Sequence, residues 1–380
     1  MTDSHLPRRG RDNALDALRL IAVLFMMMSH TTRLITWDVR RGWSRFSLLI
    51  EPMTASLFLT LVGASLVHSW LSAQRRGTPR ADWFRKQGLR ALALWAVSCV
   101  FYSLEDGPHL PDALTMSGIL ATIAYTILIG MLMVAARRPV PVLLAVAAVL
   151  IALHAWMDAH AVRLFALNAG NSPLLPLFLF ACLGALGAYA LVTRGRAGMA
   201  VRAGLATAAV LALGFILSRH TFHDVFSKPM GRYETIRVIA LGSGEARVEK
   251  EIPYYNLRPI LVPMIASLTI LLYGALSLLR PILDRFSRHL LPLGRRSLDV
   301  YILHLSLLAM LVVAGGKRPL KTTWQGDAVI LTVIAICYAW VAARDRFPRF
   351  PKFWVKVPLS EGAAGAEDGS TAGKGLRAEG

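Results

Sequence analysis

The stretch Arg11-Asp-Asn-Ala-Leu-Asp16-Ala-Leu-Arg19-Leu-Ile-Ala-Val-Leu-Phe-Met-Met-Met-Ser-His30-Thr-Thr-Arg33 sets the terms on which the rest of the chain is read. Its apolar run is long enough to cross a bilayer, which takes about 20 mostly apolar residues in a helix. Three ionisable side chains nevertheless sit on it. Such residues are costly in hydrocarbon and mark functional sites by default. At about 100° per residue, Arg19 and His30 fall within about 20° of each other, and Asp16 within about 40° of His30. Asp16 and Arg19, three apart, can pair. His30 stands about 16 Å further along the axis than Arg19, which puts the arginine near one bilayer boundary and the imidazole in the opposite half. Each also has a plainer reading. Arg19 can snorkel to headgroups, Asp16 can be a helix-start carboxylate, and His30 can hydrogen-bond a neighbouring helix.

Outward from this run the same pattern repeats. Apolar segments at roughly 14–36, 48–73, 88–105, 113–135, 139–157, 173–192, 200–217, 258–280, 297–316 and 325–343 predict an all-α polytopic membrane bundle of about 10 transmembrane helices. Composition agrees: 55% of the 380 residues are hydrophobic and 17% are charged, against about a quarter charged in soluble domains. The net charge of +19 does not point to nucleic acid, because the bases occur as short clusters between apolar runs. Arg8, Arg9 and Arg11, Arg75 to Lys86, Arg137-Arg138, Arg194 to Arg202, Arg280 to Arg296 and Arg344 to Lys352 all fall on one side of a ten-span bundle. The positive-inside rule makes that side cytoplasmic and predicts an inner-membrane protein with both termini inside. Arg40, Arg41, Arg45, Lys317, Arg318 and Lys321 dissent. The expected organisation is a cytoplasmic N-terminus (1–13), a membrane domain (14–343) and a basic, then disordered, cytoplasmic tail (344–380). The first apolar run is too long for a signal h-region and reads as a retained span. Within the extracytoplasmic loop 218–257, Arg237 to Leu241 and Ala246 to Ile252 read as a small β-hairpin around Gly-Ser-Gly. Cys99, Cys182 and Cys337 lie far apart inside apolar runs and read as core residues.

Asp16-Ala-Leu-Arg19, then an apolar helix reaching His30 after ten intervening residues, resembles the opening of the acyltransferase-3 family. It is also similar to the related heparan-α-glucosaminide N-acetyltransferase-like (DUF1624) bacterial membrane proteins. Pro52-Met-Thr-Ala-Ser-Leu-Phe58-Leu-Thr-Leu-Val-Gly63 resembles their second-helix segment. Gly294-Arg-Arg-Ser297-Leu-Asp-Val-Tyr301-Ile-Leu-His304 resembles their late helix. The chain has Arg19-Leu20 where the family commonly has Arg-Gly, and Arg85-Lys86-Gln-Gly-Leu-Arg90 approximates a paired-arginine motif of the third helix.

The resemblance implies transfer of an acyl group, usually acetyl, from cytoplasmic acyl-CoA to a hydroxyl or amine of an extracytoplasmic glycan or glycolipid. The charges suit an anionic donor: Arg19, Arg85, Lys86 and Arg90 lie towards the basic side. Each also satisfies the positive-inside rule without any ligand. His30 suits work as a general base, because imidazole titrates near neutrality, or as a transient acyl carrier. Asp16 lies about 21 Å from it along the axis, so the group that orients His30 must come from elsewhere. Glu51, near the outer end of the second span, is a candidate, and an interface carboxylate in water is its plainer reading. Tyr301 and His304, three apart on one face, are read as acceptor-side residues or as packed, hydrogen-bonded ones. Trp37, Trp43, Tyr233, Tyr254 and Tyr255 can stack on sugar rings or form an interfacial belt. His220, His223 and Asp224 lack a fourth ligand, so no metal is expected. The rival function is a transporter or flippase that moves an acyl group or glycolipid without chemistry, since intramembrane Arg and His occur there too.

Overall fold

The computed structural model describes residues 13–34, 43–106, 118–160, 172–194, 232–240, 247–256, 272–316 and 320–346, with a few single positions between them. The helices among these residues are α1 (Asn13–Arg33), α2 (Trp43–Arg75), α3 (Arg80–Asp106), α4 (Ile119–Val134), α5 (Pro139–Ala159) and α6 (Leu174–Arg194). After the strands β1 (Arg232–Ala240) and β2 (Arg247–Asn256) come α7 (Arg280–Leu290), α8 (Pro292–Arg295), α9 (Ser297–Gly315) and α10 (Thr323–Arg346). The expected spans 200–217 and most of 258–280 lie outside the described residues, as do His220, His223, Asp224 and Trp37.

Five windows are long and apolar enough to cross a membrane: Asn13–Thr32, Thr54–Arg75, Pro139–Met157, Ser297–Gly315 and Thr323–Arg344. α4 and the Leu174–Tyr189 part of α6 are shorter apolar helices. The chain is thus a helical integral membrane protein. α3 starts at Arg80, ahead of the apolar run at 88–105, because its polar first turns are themselves held in place. Trp83 Nε1 and Gln87 Nε2 both donate to Ser69 Oγ on α2, each at 3.0 Å. α10 runs on to Arg346, past the expected domain boundary at 343. Arg344 is the reason: it forms a buried ion pair with Asp299 at the start of α9.

β1 and β2 pair antiparallel, from Arg232 opposite Asn256 to Ala240 opposite Arg247, with an irregularity between Val238 and Ile239. Away from the turn the strands reach further than the segments 237–241 and 246–252 read from the sequence, to Arg232 and Asn256.

Lipid supplies little hydrophobic drive between helices, so close backbone packing has to hold them. The tightest crossing is α2 against α6. A Cβ on Gly63 would strike the carbonyl of Ala181, and one on Gly184 the carbonyl of Thr60, so each glycine admits the other helix's backbone. Phe180, Leu57, Leu59, Met27 and Ile127 fill the interior beside this crossing. A second close approach joins the two ends of the chain: Gly294 of α8 meets the Asp16 carbonyl and the Leu20 amide of α1. Pro292 opens α8 with its φ already set. α9 stops at Gly316, whose φ of 82° only glycine adopts easily.

These contacts sort the helix ends. The start of α1 meets α8, the end of α2 meets the start of α3, and the start of α9 meets the end of α10. At the opposite end the Leu320 amide donates to the Leu34 carbonyl, and Thr122 Oγ1 donates to the Ser172 carbonyl. Arg75, Arg76, Arg80, Arg295, Arg296 and Arg344 therefore cluster at one end, called here the basic end.

Candidate active site

α1 delivers its charged residues to the bundle interior at two levels. At the basic end Asp16 is fully buried and accepts from two guanidinium groups. Arg19 Nη1 lies 2.7 Å from Asp16 Oδ1, and Arg295 Nε lies 3.3 Å from Asp16 Oδ2. Arg295 reaches it because the Gly294 contact lays α8 directly on α1. A buried carboxylate needs such pairing, since an unpaired charge there is costly. Arg295 also donates to Asn13 Oδ1 at 3.1 Å, and Asn13 Nδ2 donates to Asp284 Oδ1 of α7 at 2.7 Å.

Arg19 is held on its other side too: its Nη2 donates to Ser65 Oγ of α2 at 2.7 Å. So fixed, the guanidinium lines a cavity of about 90 Å³ formed between α1, α2, α3, α4 and α9. Arg90 and Gln87 of α3 and Ser297 and Tyr301 of α9 line the same cavity, and Phe58, Leu94 and Ile123 are among its apolar walls. Arg19 and Arg90 thus face one cavity from α1 and α3. Arg19 is already paired with Asp16, so Arg90 is the cation at this cavity that has not been given a carboxylate partner above. Arg85 and Lys86 are exposed on α3 and are not among the residues lining this cavity. Arg90 is exposed as well, and it borders the cavity because it lies three residues beyond Gln87, which the Ser69 anchor turns inward.

At the second level, His30 Nδ1 lies 3.0 Å from His304 Nε2. The two rings are nearly parallel, 9° apart in plane, with centroids 5.2 Å apart. His304 is fully buried, and its Nδ1 lies 3.0 Å from the Val300 carbonyl oxygen. A carbonyl only accepts, so His304 Nδ1 carries the hydrogen. At full burial the neutral ring is the form that needs no counter-charge. Its Nε2 then offers a lone pair, and His30 Nδ1–H donates to it. Neutral His30 then carries its one in-plane lone pair on Nε2, which is the arrangement of a general base. Tyr301 links the two levels. It lines the cavity, and its ring meets His304 edge-on at 5.4 Å and 82°.

The structure thus joins Arg19, Arg90 and Tyr301 around one cavity and joins His30 to His304 beyond it. Asp16 serves Arg19 and is remote from His30. An imidazole, rather than a carboxylate, is the group found beside His30 Nδ1. Glu51 lies within α2, but its side chain is outside the described set, as are those of Trp43, Tyr233, Tyr254 and Tyr255. Arg295, Ser65 and Gln87 were not singled out by sequence. Arg295 and Gln87 had a signal, standing within the late motif and within the Arg85–Arg90 stretch; Ser65 had none.

Among the described residues no group of three His, Cys, Asp or Glu side chains converges to hold a metal ion. No curated protein matches the chain. The family described as an acyltransferase domain (acyltransferase-3) matches residues 12–344, from α1 to within the last turn of α10. A match of that extent covers both the arginine-lined cavity and the histidine pair, and the chain belongs to this family of membrane acyltransferases.

Proposed function

We propose that this acyltransferase takes an acyl group, acetyl by preference, from cytoplasmic acyl-CoA and transfers it to a hydroxyl or amine of an extracytoplasmic glycan or glycolipid. The observation that carries this reading is the placement of His30 and His304 beyond a cavity that is arginine-lined at the basic end. With that end cytoplasmic, as the positive-inside rule favours, both termini lie inside the inner membrane. The bundle then has about ten spans, and the β1–β2 hairpin lies outside. The donor's anionic groups meet Arg85 and Lys86 at the surface, and Arg19 and Arg90 within. Its thioester advances past Tyr301 towards the histidine pair.

His30 Nε2 removes the proton from the acceptor O–H or N–H, and the acceptor atom attacks the thioester carbonyl. The C–S bond then breaks, and the CoA thiolate takes the proton back from the imidazolium. Base, acid and leaving group balance with no further reactant. His304, by accepting from His30 Nδ1–H, fixes the tautomer that makes this possible. The test is acyl transfer by purified protein in vesicles, from labelled acetyl-CoA to surface glycans. Loss of transfer in a folded His30→Ala protein supports the reading, and full transfer in that variant overturns it.

A further inference from the structure

α7 has a use that the acyl-transfer chemistry leaves unassigned. It is 11 residues long, about 16 Å of helix and half of what a span requires. It follows a helical stretch at 272–278, with Pro281 in its first turn, where a proline cannot continue the preceding hydrogen-bond ladder. Around its axis it shows three faces rather than two. Leu283 packs towards Leu18, Leu57 and Leu276 in a small apolar cluster with α1 and α2. Adjacent to it, about 40–100° around the axis, Leu279, Ile282 and Phe286 share a stripe and are 48%, 54% and 43% exposed. On the far side lies the Arg280–Asp284 ion pair, at 3.4 Å, and Arg285 flanks the stripe beside Ile282. The Arg285 guanidinium lies 5.7 Å from the Phe286 ring, at the seam between the apolar and charged faces.

A helix with one protein face, one exposed apolar face and one charged face fits a membrane surface entered sideways. The apolar stripe then reaches the acyl chains, while the cations stay at phosphate level. We infer that α7 lies flat in the interface at the basic end, with Leu279, Ile282 and Phe286 in the acyl chains and Arg285 on the headgroups of acidic phospholipid. The same helix is wired to the arginine cavity: Asp284 holds Asn13, Asn13 and Asp16 both hold Arg295, and Asp16 holds Arg19. An acidic leaflet that seats α7 therefore sets the Arg19 guanidinium in place. The consequence for activity rests on the donor-binding reading of that cavity; the seating itself does not.

Two measurements on the full chain in vesicles decide the matter. In protein with Cys99, Cys182 and Cys337 replaced by alanine, nitroxide labels are placed at Phe286→Cys and, separately, Asp284→Cys. The label at 286 is expected to be relaxed by oxygen and shielded from a water-soluble paramagnetic chelate, with the reverse at 284. A chelate-accessible label at 286 overturns the inference. Acyl transfer from acetyl-CoA is then compared in zwitterionic vesicles and in vesicles containing phosphatidylglycerol. Wild type is expected to gain several-fold with the acidic lipid and Arg285→Gln to gain nothing, while both keep the same rate in zwitterionic vesicles. Equal gains in the two proteins overturn the coupling. If wild type transfers nothing in either vesicle, the acyl-CoA reading fails, and the label pair still decides whether α7 is seated in lipid.

Discussion

His304 shows how much one buried side chain can govern. Its Nδ1–H is committed to Val300, so its Nε2 accepts from His30 and leaves that ring's other nitrogen basic. His304→Ala removes the acceptor and releases His30 to either tautomer. A fall of about 100-fold in kcat is expected, with donor KM little changed, measured by steady-state transfer on protein that remains monodisperse. The same geometry fixes a pH sign. Protonation of His30 consumes the Nε2 lone pair, so kcat/KM rises with pH across the acid limb, and a flat profile there would exclude His30 as the base. Arg90→Gln is expected to act oppositely to His304→Ala, raising donor KM about 10-fold, which is the loss of one charge-assisted contact, while sparing kcat. At this scale the sequence was legible only within one helix. Asp16, Arg19 and His30 could be put on one stripe because helical period relates them. His304, 274 residues from His30, and Ser65, 46 from Arg19, are related only by packing, which no local period reports.

Between elements, the backbone contacts rather than the side chains set the tolerances. Gly63 and Gly184 guard the same crossing from opposite sides, each against the other helix's carbonyl. Alanine at either is expected to cost about 1–3 kcal/mol by overpacking. Because the two share one interface, the double variant should cost less than the sum of the singles. Thermal unfolding in a fixed detergent checks both points. Gly294→Ala has a different signature: it lifts α8 from α1, draws Arg295 away from Asp16, and should weaken donor binding as well as stability. The second-helix run ending in Gly63 was visible in the sequence. Its partner Gly184 was not, since a glycine in an apolar span carries no sign of what it faces. Likewise α3 showed Arg85, Lys86 and Arg90 as one basic cluster. Which of the three borders the cavity depends on the Ser69 anchor of Gln87, which a basic cluster in sequence does not report.

Over the whole molecule, the apolar runs announced a membrane bundle because bilayer thickness imposes a length that the sequence must meet. Sidedness was less legible, since Lys321 sits beside Leu320, which is bonded to Leu34 at the end opposite the arginine clusters. Reporter fusions at both termini, and a probe at Lys321, test it: both termini are expected on the cytoplasmic side and Lys321 outside. Finally, the Gly294–Asp16 contact and the His30–His304 bond join α1 to segments made much later. With 274 residues between the two histidines and synthesis at about 5–20 residues per second, α1 waits roughly 14–55 s in the bilayer before its partners exist. During that interval Asp16 has Arg19 of its own helix to pair with, while Arg295 and His304 have not yet been built. The His30–His304 pair and the Asp16–Arg295 pair therefore form only after most of the bundle has been made.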